Sequence, residues 1–117
     1  MKHQRFCLTL DLKNDPLLIA EYRKHHERIW PEVKASILNS GILEMEIYNY
    51  GNRLFMIMET DENFSFERKK MMDAENLKVA QWEELMWKYQ QPLPGSLHGE
   101  KWKLLECIFK LSEQENT

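Results

Sequence analysis

Phe6, Leu8, Leu10 and Leu12 alternate with Cys7, Thr9 and Asp11. That two-residue period predicts a strand with one buried face from about Arg5 to Leu12. Asn14-Asp15-Pro16 then breaks the pattern, with Asp15 placed to cap a helix and Pro16 at its first position. Helical spacing continues to Ile29. Leu17, Ala20, Glu21 and Lys24 fall on one side, and Leu18, Tyr22, His25, His26 and Ile29 largely on another. Pro31 disfavours helical geometry at Trp30, so the helix should end there. A second helix starts at Pro31 and runs to Ser40, with Val33, Ile37 and Leu38 as its apolar stripe. Gly41 supplies its stop.

Ile42 to Tyr50 reads as the next strand. Its more apolar row, Leu43, Met45 and Ile47, is expected to face the helices, and Ile42, Glu44, Glu46, Tyr48 and Tyr50 to face away. Tyr50-Gly51-Asn52-Arg53 makes a hairpin turn. The returning strand, Leu54 to Glu59, is almost wholly apolar, which predicts a central strand covered on both faces. Ser65 to Met72 forms a helix with Phe66 and Met71 or Met72 inward. Asn76 caps another from Leu77 to about Tyr89. Gln91-Pro92-Leu93-Pro94-Gly95-Ser96 excludes regular structure, and loop or lid continues to Gly99. Lys101 to Leu111 alternates again as a last strand, and 112–117 is a polar tail. The order βαββαβ is the ferredoxin-like α+β arrangement, an antiparallel four-stranded sheet with helices on one face. The bare face needs a cover. A second copy of the chain is the expected one, giving a dimeric α/β-barrel-type association. The first and last strands should pair, bringing Cys7 and Cys107 near each other as packing residues.

The 117 residues suffice for one domain, 1–117, with one core. A net charge of −3 argues against nucleic acid or an anionic membrane surface as partner. No apolar run approaches the ~18 residues of a membrane span, and the amino terminus lacks the apolar stretch of a secretory signal. Two cysteines do not make a disulfide framework. A cytoplasmic protein with reduced thiols is expected.

Tyr22 and His26 stand one helical turn apart and share a face. An imidazole titrates near neutrality, so it can both take and give a proton in one turnover. A phenol beside it can hold a substrate hydroxyl. The alternative is that both are amphipathic surface residues with their tips in water. His25 lies about 100° round the helix from His26. His3, His25, His26 and His98 show no metal-ligand spacing, so no metal site is expected. Trp82 and Met86 share a face of their helix, with Glu83 beside Trp82. They are either core or an aromatic platform for a ligand ring, with Glu83 accepting its hydroxyl hydrogens. Trp30 reads as a packing anchor between two helices.

Glu21-Tyr22-x-x-x-His26, Ile29-Trp30-Pro31-Glu32, Gly41-Ile42, Ile47-Tyr48, Leu54-Phe55 and Trp82-x-x-x-Met86 together resemble the L-rhamnose mutarotase family, over nearly the whole chain. The resemblance implies a homodimeric ferredoxin-like enzyme without a cofactor, interconverting the α and β anomers of a 6-deoxy sugar. It puts the acid/base histidine on His26 and a substrate-binding tyrosine on Tyr22. Two further binding positions, commonly both tryptophan, fall on Trp82 and Glu83, and a strand position that is often an aromatic contact falls on Met45. The acid at Glu83 and the thioether at Met45 alter the sugar-facing wall. Asp11 to Pro16 and Gln90-Gln91-Pro92-Leu93-Pro94 resemble a branch associated with L-fucose. In the mechanism this implies, His26 protonates the ring oxygen, Tyr22 orients the sugar, Trp82 stacks on it, and Glu83 accepts a hydroxyl hydrogen or acts as a second base. A ferredoxin-like monooxygenase and a non-catalytic ligand-binding module are the alternatives, because fold alone does not separate them.

Overall fold

The computed structural model describes residues 3–97 and 100–115. β1 (Gln4–Leu12) leads to α1 (Pro16–His25) and α2 (Pro31–Asn39). The hairpin β2 (Ile42–Tyr50) and β3 (Arg53–Thr60) follows, then α3 (Phe66–Glu75) and α4 (Leu77–Trp87). Two short strands, β4 (Gln90–Gln91) and β5 (Lys103–Leu104), complete an antiparallel sheet of five strands. The sheet order is β2-β3-β1-β4, with β5 also on β1. This is the ferredoxin-like α+β arrangement the sequence predicts, with its fourth strand split into β4 and β5.

Local chemistry sets the helix starts. The Asp15 carboxylate accepts from the Leu17 and Leu18 amides, Ser65 from Arg68, and Asn76 from Val79, each satisfying amides the helix leaves unpaired. Gly41 ends α2 at φ 99°, a left-handed geometry that glycine adopts without a side-chain clash. α1 stops at His25, one turn earlier than expected, and His26 is its cap. Arg23, Lys24 and His25 occupy the last turn, where positive charge suits the helix dipole.

The core lies between the sheet and the helices in two adjoining groups. Leu12, Tyr22, Val33, Leu54, Trp82, Met86 and Tyr89 form the first. Leu8, Ile42, Met56, Met58 and Phe64 form the second. Several expectations are corrected. The pairing of β2 with β3 slips between Ile42 and Glu44, and such a bulge reverses which side a residue faces. Ile42 is therefore buried and Leu43 exposed, while Met45 and Ile47 keep the inward row. In α2 the inward place goes to Ser36, and Leu38 is exposed. In α3 Met71 is exposed and Met72 is the half-buried one. β3 is central, but only Leu54, Met56, Met58 and Thr60 are buried; Phe55 and Ile57, on the face without helices, are half-buried.

The last strand departs most from expectation. Its ladder to β1 covers Leu8–Leu104 and Thr9–Lys103, with one more bond from the Leu105 amide to the Cys7 carbonyl at 2.8 Å. Residues 105–110 carry no strand pairing and are exposed. Cys107 lies on this arm, exposed, so its expected role as a packing partner of half-buried Cys7 does not hold. No helix is long and apolar enough to cross a membrane among the described residues. His98 and Gly99, part of the expected loop, lie outside the described residues.

Candidate active site

α1 and its cap present Tyr22 and His26 to the middle of α4, at Trp82. The two rings lie 4.4 Å apart between centroids, as a one-turn separation on a helix allows. The edge-on contacts of Trp82 with His26 at 5.6 Å, Trp30 at 5.2 Å and His25 at 6.4 Å make it the hub of the cluster. Trp82 is 5% exposed and Tyr22 3%, so neither is a free surface residue. Trp30 packs against the same core, the anchoring role its corner position suggested. His25 and His26 are half-buried.

The hydrogen bonds fix the tautomer of His26. Its Nδ1 lies 2.9 Å from the Tyr22 carbonyl oxygen, which can only accept. Nδ1 therefore carries the proton and Nε2 keeps its lone pair. Burial lowers the His26 pKa from its ordinary 6.5; the Tyr22 carbonyl opposes this and the neighbouring His25 charge adds to it. Tyr22 is driven the other way. Burial pushes its phenol up to about 12, helped by the Glu83 charge and opposed by the Gln90 side chain. At neutral pH the site thus offers a neutral imidazole with a basic Nε2 and a phenol that keeps its proton.

The sequence reading missed a second chain of hydrogen bonds. Tyr89 Oη donates to Glu21 Oε1 at 3.0 Å and lies 3.1 Å from His25 Nε2. The phenol has one proton, and it goes to the carboxylate. Nε2 of His25 is therefore the donor in the other contact. Glu21, Tyr89 and His25 so tie α1 to the end of α4. Burial raises the Tyr89 pKa, and Glu21 raises it further.

Glu83 is near this group but engaged elsewhere. Its carboxylate takes a 2.6 Å contact from Lys101 Nζ, which also donates to the Glu83 carbonyl at 3.0 Å and lies over the Trp87 ring at 4.7 Å. Met45 is not brought to His26. It packs against the second core group, beside Ile42, Met56 and Met58. Gln90 is 4% exposed and its Oε1 has no hydrogen-bond partner; leaving such an acceptor unpaired costs about 1–3 kcal/mol. An open groove along the outer side of α1, lined by Pro16, Ile19, Ala20, Arg23, Lys24 and Glu27, contains none of these residues. Among the described residues no group of three or more His, Cys, Asp or Glu gathers as metal ligands do.

Comparison with known proteins adds what geometry alone does not. The model of the L-rhamnose mutarotase family matches residues 5–111. The chain belongs to the L-rhamnose mutarotase family. An L-fucose mutarotase of Xanthomonas campestris is 45% identical over 115 residues, covering 97% of this chain and 92% of that protein. A UPF0734 protein of Dictyostelium discoideum is 32% identical over 116 residues, covering 93% and 90% respectively. The crystal structure of an L-rhamnose mutarotase from Formosa agariphila superimposes with a TM-score of 0.69 at 22% identity, over 92% of this chain and 98% of that one. That last likeness concerns the fold. Family membership makes the chain an isomerase acting on sugars.

Proposed function

We propose that the chain exchanges the α and β anomers of a 6-deoxy-hexose, with L-fucose as its sugar and His26 as the group that moves the proton. The observation that carries this is the fixed tautomer of His26, held by the Tyr22 carbonyl at 2.9 Å with Nε2 left free. In the reaction Nε2 takes the proton from the anomeric hydroxyl. The C1–O1 bond becomes a carbonyl, and the electron pair of the C1–O5 bond goes to O5. The new imidazolium then gives its proton to O5. Both oxygens are bonded to C1, so one nitrogen serves both transfers. Rotation about C1–C2 and the reverse sequence close the other anomer. General acid/base help of this kind contributes roughly 10²–10⁴-fold. The Tyr22 phenol, protonated throughout the neutral range, donates to a sugar oxygen. Trp82, edge-on to both imidazoles, holds them in place beside the sugar. Glu83 acts through its Lys101 ion pair or as a hydroxyl acceptor. Met45 is at most a contact at the far wall.

L-Fucose is favoured by the 45% identity to an enzyme named for that sugar. A second copy of the chain is the proposed cover for the bare sheet face, where Phe55 and Ile57 lie between exposed Tyr48 and half-buried Cys7. Two free thiols, one of them exposed, suit the reducing cytoplasm. Saturation transfer between anomeric proton signals tests the reaction. Exchange of L-fucose well above the spontaneous rate, and above that of L-rhamnose, is expected. Exchange of both sugars at the spontaneous rate would remove the activity, and a preference for L-rhamnose would remove the sugar assignment.

A further inference from the structure

Gln90 is a buried polar side chain near Tyr22 whose chemistry the reaction above does not use. It pairs with Leu12 across β4 and β1. Residues paired across an antiparallel ladder share a face, and Leu12 is wholly buried in the core group that holds Tyr22 and Trp82. The carboxamide is therefore aimed at the site and not at solvent. The side chain also acts on the Tyr22 phenol, whose pKa it lowers against the effect of burial. Its oxygen, Oε1, is buried with no donor. Folded proteins rarely leave such an acceptor empty, and a leucine would fill the same space without the penalty. None of the described residues supplies that donor, and a sugar presents hydroxyl hydrogens.

We propose that Gln90 is a sugar-binding and specificity-determining residue, its Oε1 accepting the hydrogen of one ring hydroxyl beside the Tyr22 phenol. The inference rests on the mutarotase reading. A site built to bond a hydroxyl discriminates strongly against the analogue that lacks it, because its own polar group is then stranded. Gln90 thus selects for one hydroxyl of the sugar, while His26 acts on the anomeric centre that all candidate sugars share.

The test is the exchange kcat/KM of wild type, Gln90→Leu and Gln90→Glu with L-fucose and its 2-, 3- and 4-deoxy analogues. Gln90→Leu should melt no lower than wild type, since it removes an unpaired buried acceptor. It should lose roughly tenfold to a hundredfold with L-fucose. For one deoxy analogue the two proteins should agree within about twofold, because the bonded hydroxyl is already gone. Gln90→Glu, which keeps an acceptor, should still disfavour that analogue. Gln90→Met, read in the same way, replaces Gln90→Leu should the latter fold poorly. An unchanged kcat/KM for every sugar would overturn the inference, and so would an equal loss on all of them. Wild-type exchange at the spontaneous rate would instead bring down the mutarotase reading, and this inference with it.

Discussion

The cluster around Trp82 and the arm after β5 are both rich in apolar side chains, and they meet opposite fates. In the first, Tyr22, Trp82 and Tyr89 are buried, and α1, α2, α4, β1 and β3 all supply their neighbours. In the second, Ile108 is 92% exposed and Phe109 63%, and one backbone bond from Leu105 holds the arm's start to β1. The contrast is one of closure. The helices cover one sheet face, so apolar residues pointing there find partners within the chain. The arm runs past the end of that cover. Large exposed apolar groups in a row mark a surface meant for contact, consistent with the second copy proposed above.

Breaking the buried side should give the larger effects. His26→Gln keeps the shape of the cluster but removes the basic nitrogen. It should cost roughly 10²–10⁴-fold in kcat, measured by saturation transfer, with little change in melting temperature. Trp82→Ala removes the hub and should cost about 3–5 kcal/mol of stability, read from urea unfolding, with activity lost alongside. Tyr89→Phe cuts the link between His25 and Glu21. Because Glu21 is exposed, water can replace the lost bond, so about 1 kcal/mol is expected with kcat within tenfold of wild type. At the other end of the comparison, Ile108→Ser with Phe109→Ser should change single-chain stability by less than about 0.5 kcal/mol. The same pair of substitutions should shift sedimentation toward the monomer. A dimer untouched by them would place the contact elsewhere.

Acid should act on the buried side through His26. Burial disfavours charged His26, so its folded pKa lies below 6.5. As pH falls through that value the unfolded chain gains a proton that the folded chain refuses. Stability therefore declines with falling pH through this window, and His26→Gln should flatten that part of the curve.

The sequence made the well-closed region legible and the open one illegible, for the same reason. One-turn spacing alone brought Tyr22 to His26, and the caps at Asp15, Ser65 and Asn76 are local chemistry. The alternation in β1 and β3 reports burial directly. Readings failed where a distant partner decides. The bulge between Ile42 and Glu44 exists only in the pairing with β3, so Ile42 and Leu43 exchanged sides. Gln90 is placed by its pairing with Leu12, about two-thirds of the chain away. His25 was placed about 100° round the helix from His26, on the geometry of a continuous helix. The helix ends at His25, and Trp82 is wide enough to touch both rings. Residues 105–111 alternate as a strand should, but alternation does not say which chain supplies the neighbouring strand.

The central claim is that neutral His26, with its proton on Nδ1, is the reacting form. The direct measurement follows the exchange kcat/KM of L-fucose with pH in ¹⁵N-labelled protein while the ring-nitrogen shifts of His26 are recorded. The account predicts a pyrrole-type Nδ1, a pyridine-type Nε2, and a fall in rate on the acid side that tracks the His26 titration below pH 6.5. A rate that stays level while His26 takes up its proton would contradict it.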